Sequence, residues 1–163
     1  MLKKVHVGKF EAREGQFAII ASKYNSRYVD AMLRAAQSEL KRAGAKRVRI
    51  VRVPGAYEIP VVVSRMARAA SGRNTQHEPL SAIICLGVIL RGQTVHAAHI
   101  GEAVSQALMQ LQLAHEIPII HEVLLLENDE QARVRCLGKT HNRGTEAAQT
   151  ALEMARVMES LPD

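Results

Sequence analysis

Short apolar runs alternate with longer segments of helical periodicity along the chain, and this alternation restricts the fold more than any other feature. Each run has the length of a buried strand, and each intervening segment repeats its apolar residues at helical spacing. The predicted strands cover residues 17–22, 48–53, 81–88 and 119–126. The predicted helices cover residues 27–43, 57–70, 95–115, 129–136 and 142–159. This order predicts an α/β protein, a three-layer α/β/α sandwich with a central parallel sheet.

Glycine and proline residues support these boundaries. Gly44 directly follows the first predicted helix, at the position where glycine commonly ends helices. Pro60 falls in the first turn of the second helix, where proline is tolerated because the first helical N–H groups have no partner within the helix. The chain of 163 residues shows no repeat and no linker, so we expect one domain over residues 1–163.

The segment at residues 87–96 predicts half of an active site. Ligands of open parallel sheets bind at the carboxyl ends of the strands. Here an apolar run leads into a glycine-bracketed arginine and then into Thr94 and His96 at a predicted helix start. A helix N-terminus offers backbone N–H groups to an anion, and a histidine beside that anion is able to move protons near neutral pH.

Composition argues against several other classes of protein. Lys and Arg number 22 against 16 Asp and Glu, a net charge of +6 that raises the question of nucleic-acid binding. Aromatic residues make up only 3% and the positive charges are scattered, so a solvated basic surface or an anionic substrate is favoured over nucleic acid. No apolar run approaches the roughly 20 residues of a membrane helix, and the basic N-terminus lacks the apolar core of a signal peptide. We therefore expect a cytoplasmic protein with no membrane partner.

The two cysteines point to no chemistry. Cys85 lies inside an apolar run and is predicted to be buried and inert, while Cys136 lies near a predicted turn. Neither has a partner at the spacing of metal ligands, so no metal site is predicted. One conceivable bridge is weak evidence for secretion.

Five segments, taken in order, carry a family resemblance. They read KYN at residues 23–25, VPGAYEIP at 53–60, GVILRGQTVH at 87–96, EQA at 130–132 followed by Arg135, and NRGTEAA at 142–148. Together they resemble the 6,7-dimethyl-8-ribityllumazine synthase family of riboflavin biosynthesis, over about residues 7–161 of the chain. The VPGAYEIP segment is highly specific, and the ordered set is more so.

The resemblance implies a flavodoxin-like sandwich whose copies form pentamers, with active sites between neighbouring subunits. It also implies a reaction, the condensation of 5-amino-6-(D-ribitylamino)uracil with 3,4-dihydroxy-2-butanone 4-phosphate, with loss of phosphate and water. No metal or organic cofactor is implied. Such chemistry mainly requires two substrates held in register while protons are moved.

The same resemblance assigns roles to individual residues. His96 matches the proton-transferring catalytic histidine, although an isolated histidine here would as readily be a capping or core residue. Gln93 and Thr94 match the positions that hold the phosphate, and Arg135 matches an arginine that meets the same phosphate from a neighbouring subunit. The residues that match contacts to the uracil and the ribityl chain are Tyr24, Ala56, Tyr57, Glu58, Val88, Ile89, Leu90 and His121.

Other readings of these residues stay open at this stage. Tyr24 fits a core aromatic at a strand end, and Glu58 fits an acid favoured by the dipole of a helix first turn. The side chains of residues 88–90 fit plain core. Asn25 is expected to brace its turn rather than to touch ligand. Arg143 and Glu146 match a basic–acidic supporting pair near the subunit interface, and they equally fit a surface salt bridge.

Two stretches depart from the family pattern. After the histidine the family has an aromatic, an acid and an aromatic residue, whereas this chain reads Ala97-Ala98-His99. His121-Glu122 stands where most members have Phe-Gly, although an imidazole is still able to stack on a ring. These changes favour an alternative reading, a non-catalytic or weakly active member that binds a flavin-like ligand or forms a shell.

The resemblance also carries expectations about assembly. Residues 1–14 are predicted to form an arm whose alternating segment at residues 4–10 pairs as an edge strand with a neighbouring subunit. The turn at residues 138–142 has no insertion, which in this family accompanies sixty-subunit shells. We therefore expect an icosahedral shell rather than a free pentamer, with a decamer as the open alternative and riboflavin synthase as a candidate cargo.

Overall fold

The computed structural model describes residue 12 and residues 15–71, 80–138 and 141–162. The strands are β1 (Gln16–Ser22), β2 (Arg47–Val53), β3 (Ala82–Leu90) and β4 (Ile119–Leu126). The helices are α1 (Ser26–Arg42), α2 (Ile59–Ser71), α3 (His96–His115), α4 (Asp129–Cys136) and α5 (Arg143–Glu159). All strand pairs are parallel, and the order across the sheet is β2-β1-β3-β4.

Two hydrophobic cores, one on each face of the sheet, define the three layers. On one face, α1, α4 and α5 pack on the strands around residues such as Phe17 and Ile84. On the other face, α2 and α3 cover residues such as Ile20 and Val123. The predicted α/β/α sandwich is confirmed, and its strand order follows the flavodoxin-like arrangement.

The central strands are apolar because they are covered on both faces. β1 and β3 read QFAIIAS and AIICLGVIL, and nearly every residue in them is buried. β2 lies at one edge of the described sheet and reads RVRIVRV, with Arg47, Arg49 and Ile50 exposed. Charged side chains on an edge strand discourage pairing with other chains.

The end of α1 follows the expected glycine signal. Gly44 has a φ of 85°, a left-handed conformation that favours glycine. The Gly44 N–H donates to the Lys41 carbonyl and the Ala45 N–H to the Leu40 carbonyl, each at 3.0 Å. This pair of bonds is the Schellman motif, which satisfies carbonyl groups left over at the helix end.

Two predicted boundaries shift by two residues in the structure, and the others shift by one at most. The helix predicted from residue 57 instead begins with a 3₁₀ turn, Ala56–Glu58, and continues as α2 from Ile59. The strand predicted over residues 81–88 extends to Leu90, because its pairing with β4 continues to the Leu90–Leu126 register pair. The length of an apolar run does not reveal how far the partner strand runs beside it.

Some predictions fall outside the described residues. They concern the arm at residues 1–14, apart from residue 12, and part of the turn at residues 138–142. For the described ranges, none of the helices is both long enough and apolar enough to cross a membrane.

Candidate active site

The carboxyl ends of β1, β2 and β3 lie side by side and form a common rim. The loop after β1 is fastened to the loop after β2 by backbone bonds. The Lys23 N–H donates to the Val53 carbonyl at 2.8 Å and to the Pro54 carbonyl at 3.1 Å, and the Tyr24 N–H donates to the Pro54 carbonyl at 3.1 Å. These bonds hold Tyr24 beside the segment at residues 55–58.

Asn25 fastens the same loop to β3. Its φ of 55° is left-handed, a conformation that asparagine tolerates better than most residues. Its Nδ2 donates to the Val88 carbonyl at 2.8 Å. The residue braces the turn as expected, and it occupies one acceptor position of a carbonyl in the segment predicted to meet the pyrimidine.

The missing side chain of Gly55 leaves room for an aromatic ring and a carboxylate beside it. A Cβ atom at Gly55 would lie 2.8 Å from Glu58 Oε2 and 3.0 Å from Tyr24 Cδ2, so a larger residue would force one of them away. The Gly55 N–H donates to Glu58 Oε2 at 2.8 Å and fixes that carboxylate. Tyr24 is 70% exposed and Tyr57 is 63% exposed. The reading of Tyr24 as a core aromatic is therefore wrong, and its ring is open to a ligand.

Apolar side chains of β3 and of the 3₁₀ turn pack beneath the loops of the rim. Ala56 and Val88 are buried, and a Cβ at Gly87 would lie 3.5 Å from the Ala56 Cβ, so β3 and the 3₁₀ turn are in close contact. Ile89 and Leu90 are half-buried against the two cores. The side chains of residues 88–90 thus belong largely to the core, which leaves mainly their backbone groups to meet a ligand.

The loop after β3 leads into the uncapped N-terminus of α3. His96 is the first residue of the helix, Val95 is at the N-cap, and no side chain caps this end. Gln93, Thr94 and His96 are all exposed. First-turn N–H groups and the helix dipole favour an anion at such an end. The residues predicted to hold the phosphate therefore lie within about one helical turn of His96, the predicted proton carrier.

Arg91 ties the start of this loop to the loop after β4. Its backbone N–H donates to the Leu126 carbonyl at 2.8 Å, and its Nη1 donates to Glu127 Oε1 at 2.8 Å. Both side chains are more than half exposed, so the pair contributes little to stability. Its effect is geometric, because it limits the positions that the loop can adopt.

His121 and Arg135 do not lie on this rim. His121 is the third residue of β4, about 16 Å before the strand ends at Leu126. It faces α3, where its Nε2 is 2.9 Å from Ser105 Oγ. Arg135 is exposed in the last turn of α4. Because β4 is an edge strand of the described sheet, both residues belong to the side of the molecule rather than to its rim.

Arg143 joins two carboxylates where α5 covers β4. Its Nη1 is 2.8 Å from Glu146 Oε2 and 3.9 Å from Glu122 Oε1. The Glu122 side chain is only 14% exposed. Burial raises the pKa of its carboxyl group to about 7; Glu146 also raises this pKa, while Arg143 and Arg135 oppose the shift. The predicted pair of Arg143 and Glu146 is therefore present, with a third member.

Comparison with known proteins agrees with this arrangement. Residues 14–159 match the family model described as 6,7-dimethyl-8-ribityllumazine synthase. The chain belongs to this family. A protein of that name from Xanthomonas oryzae pv. oryzae is 38% identical over 157 residues, which cover 95% of this chain and 97% of the relative. Another from Stenotrophomonas maltophilia is 38% identical over 149 residues, which cover 90% of this chain and 91% of the relative.

Sequence reasoning gave no role to Glu122 in this lumazine synthase family member. A signal was present, because a glutamate interrupts the apolar strand IIHEVLLL. Its neighbours two residues away, Ile120 and Leu124, both pack into the core on the α5 face. Alternate residues of a strand face the same side, so this glutamate had to point into that core.

Two further observations concern metals and thiols. Within residues 15–71, 80–138 and 141–162, no three or more His, Cys, Asp or Glu side chains are grouped as metal ligands. Cys85 is buried as predicted, and burial raises the pKa of its thiol. Cys136 is also buried at the end of α4, and burial raises its pKa to about 11.

Proposed function

We propose that this protein is a transferase of riboflavin biosynthesis. It condenses 5-amino-6-(D-ribitylamino)uracil with 3,4-dihydroxy-2-butanone 4-phosphate to 6,7-dimethyl-8-ribityllumazine and releases phosphate and water. Family membership over residues 14–159 supports this reaction. The observation that carries it is the rim, where an exposed aromatic ring, a fixed carboxylate and an uncapped helix start with a histidine follow three neighbouring strands. A non-catalytic binder has no need of that histidine.

The pyrimidine substrate binds on the Tyr24 side of the rim. Its ring stacks on the exposed face of Tyr24. The Glu58 carboxylate is held in place by the Gly55 N–H, and it accepts hydrogen bonds from ribityl hydroxyl groups through its remaining lone pairs. Ala56, Tyr57 and the backbone of residues 88–90 complete this side of the site.

The phosphate substrate binds at the start of α3. Gln93 and Thr94 contact the phosphate through backbone N–H and hydroxyl groups, which the helix dipole reinforces. His96 then lies beside the reacting carbonyl group. It accepts the proton that the amine loses on attacking the ketone, and it returns protons during phosphate loss, ring closure and dehydration.

A neighbouring copy completes each site. His121 and Arg135 lie along the β4 side of the molecule, so one copy offers the rim while the next offers Arg135 to the phosphate and His121 to the uracil ring. Arg143 and Glu146 support this side. We place the protein in the cytoplasm as pentamers of a sixty-subunit icosahedral shell that can enclose riboflavin synthase.

Lumazine formation tests the reaction. With both substrates, purified protein is expected to raise lumazine absorbance and fluorescence faster than a protein-free mixture, which also reacts spontaneously. His96→Ala is expected to slow the catalysed rate about 10²-fold, because proton transfer is lost while positioning survives. A wild-type rate equal to the spontaneous rate would contradict the proposed activity.

Arg135→Ala tests the shared site. It is expected to raise KM for the phosphate substrate much more than KM for the pyrimidine, because only the phosphate meets the guanidinium group. Arg133→Ala is the matched control, since it removes the same charge from an exposed position of α4. An unchanged phosphate KM for Arg135→Ala contradicts the assignment.

Mixed assemblies test whether two copies build one site. His96→Ala and Arg135→Ala chains, unfolded and reassembled together, form some sites with an intact histidine from one copy and an intact arginine from the next. Random mixing restores about one quarter of the wild-type sites. Activity no higher than the mean of the two single variants indicates that each chain builds its site alone.

A further inference from the structure

Glu122 is a buried carboxyl group in the middle of an edge strand. Its neighbours Ile120 and Leu124 belong to the core on the α5 face. Arg143 Nη1 lies 3.9 Å from Glu122 Oε1, which is longer than a hydrogen bond, and the Glu122 side chain is 14% exposed. A carboxylate held here has an ionic partner nearby but little water, so both of its charge states are accessible.

The charged groups that face Glu122 come from two helices. We call Glu122 and these three residues, Arg135, Arg143 and Glu146, the edge cluster. Arg135 of α4 and Arg143 and Glu146 of α5 all act on the Glu122 carboxyl. The Cys136 thiol of α4 also faces Glu122, whose charge raises the pKa of the thiol. On the opposite face of β4, the strand presents His121 to Ser105 of α3, so α3 adds no charged group on the Glu122 side.

We propose that Glu122 controls the affinity of the edge cluster for the phosphate group of the substrate. When its carboxyl is neutral, the two arginines outweigh Glu146 by one positive charge and hold the dianion. When Glu122 is ionised, the cluster has no net charge and releases the phosphate dianion. This proposal rests on the proposed function, in which Arg135 meets the phosphate.

The chemistry of the cluster supports this control. Burial raises the pKa of Glu122 to about 7, so both charge states are populated near neutral pH. Binding and protonation are reciprocally linked. An anion at Arg135 favours the neutral carboxyl, so the cluster takes up a proton when phosphate binds and loses one when phosphate leaves. Glu122 is thus a positioning residue that acts through the arginines.

Sulfate binding tests the proposal without relying on turnover. Sulfate stays dianionic across the range from about pH 6.5 to 8.5, where a phosphate monoester is also largely dianionic. Calorimetric titration of the assembled wild-type protein is expected to show the sulfate Kd rising about five- to tenfold over this range, the effect of one charge at close range under partial screening. Titration in two buffers of different ionisation enthalpy is expected to show proton uptake on binding.

Three variants assign the effect. Glu122→Gln is expected to keep a low, nearly constant Kd and to lose the proton uptake. Glu122→Asp keeps a carboxyl and is expected to keep the rise in Kd. Glu159→Gln removes the same charge from an exposed position at the end of α5 and is expected to follow wild type.

The opposite results overturn the proposal. A Glu122→Gln protein whose Kd rises as steeply as that of wild type places the effect in another group and overturns the proposal. A wild-type Kd that stays constant overturns the proposal even if Glu122→Gln fails to fold. Sulfate affinity that depends on Glu122 in a protein that forms no lumazine would refute the proposed function alone.

Discussion

Gly144 lets α5 lie directly against α1, and its replacement by alanine tests that contact. The Cβ of an alanine would lie 2.5 Å from the Met32 carbonyl carbon and closer still to its oxygen. A backbone carbonyl cannot turn away from such an overlap as a side chain does. One helix must therefore move by about 1 Å to restore normal contact distances.

That movement disturbs a tightly packed pair of helices. Met32 and Ala36 of α1 and Ala147 and Ala151 of α5 are each 0% exposed. Overpacking a core typically costs about 1–3 kcal/mol, and because the backbone resists here we expect about 3 kcal/mol. For a chain of 163 residues this loss lowers Tm by roughly 6–12 °C.

Gly101→Ala in α3 is the matched control. Its Cβ would lie 3.6 Å from Leu125 Cδ2, an ordinary contact. Glycine inside a helix is about 0.5–1 kcal/mol less favourable than alanine, so this variant is expected to gain stability.

Urea unfolding of both glycine variants should be compared with wild type at one chain concentration, since assembly changes the apparent stability. The two substitutions are expected to shift the free energy of unfolding in opposite directions. A Gly144→Ala protein that unfolds within about 0.5 kcal/mol of wild type would refute the backbone contact.

Two further predictions concern the effect of single substitutions on the free energy of unfolding. The pKa of Glu122 is raised from 4.5 to about 7 on folding. The neutral Glu122 carboxyl therefore contributes to the free energy of unfolding in full below pH 4.5, and this contribution is lost as the pH rises to about 7. Glu122→Gln should then raise the free energy of unfolding by up to about 3 kcal/mol at about pH 8 and by little at about pH 5. Equal gains at both pH values in urea unfolding contradict this sign. Asn25→Ala is expected to cost about 1–2 kcal/mol, because it loses the bond to the Val88 carbonyl and puts alanine on a left-handed backbone that asparagine tolerates better. Asn25→Gly should cost less by the same assay, and equal costs would show that the backbone conformation does not matter.

Local patterns were sufficient to predict the layers of the fold. Runs such as AIICLGVIL are apolar throughout, which requires cover on both faces and hence a parallel sheet between helices. Gly44 marked the end of α1 because few other residues adopt its backbone conformation. The segment at residues 87–96 was correctly predicted to leave a strand and enter a helix, at the end of the sheet where ligand-binding loops are found.

The sequence by itself therefore determined which segments form strands and helices and which loops meet at the rim, because periodicity and end signals are local. Only the tertiary structure decided that Tyr24 and Glu58 both lie against Gly55, that His121 faces Ser105 of α3, and that Glu122 lies beside Arg143. These contacts depend on strand register and helix packing between segments distant in the chain. The alternation along β4 marks Glu122 as facing the core, but no local pattern encodes which cation lies beside it.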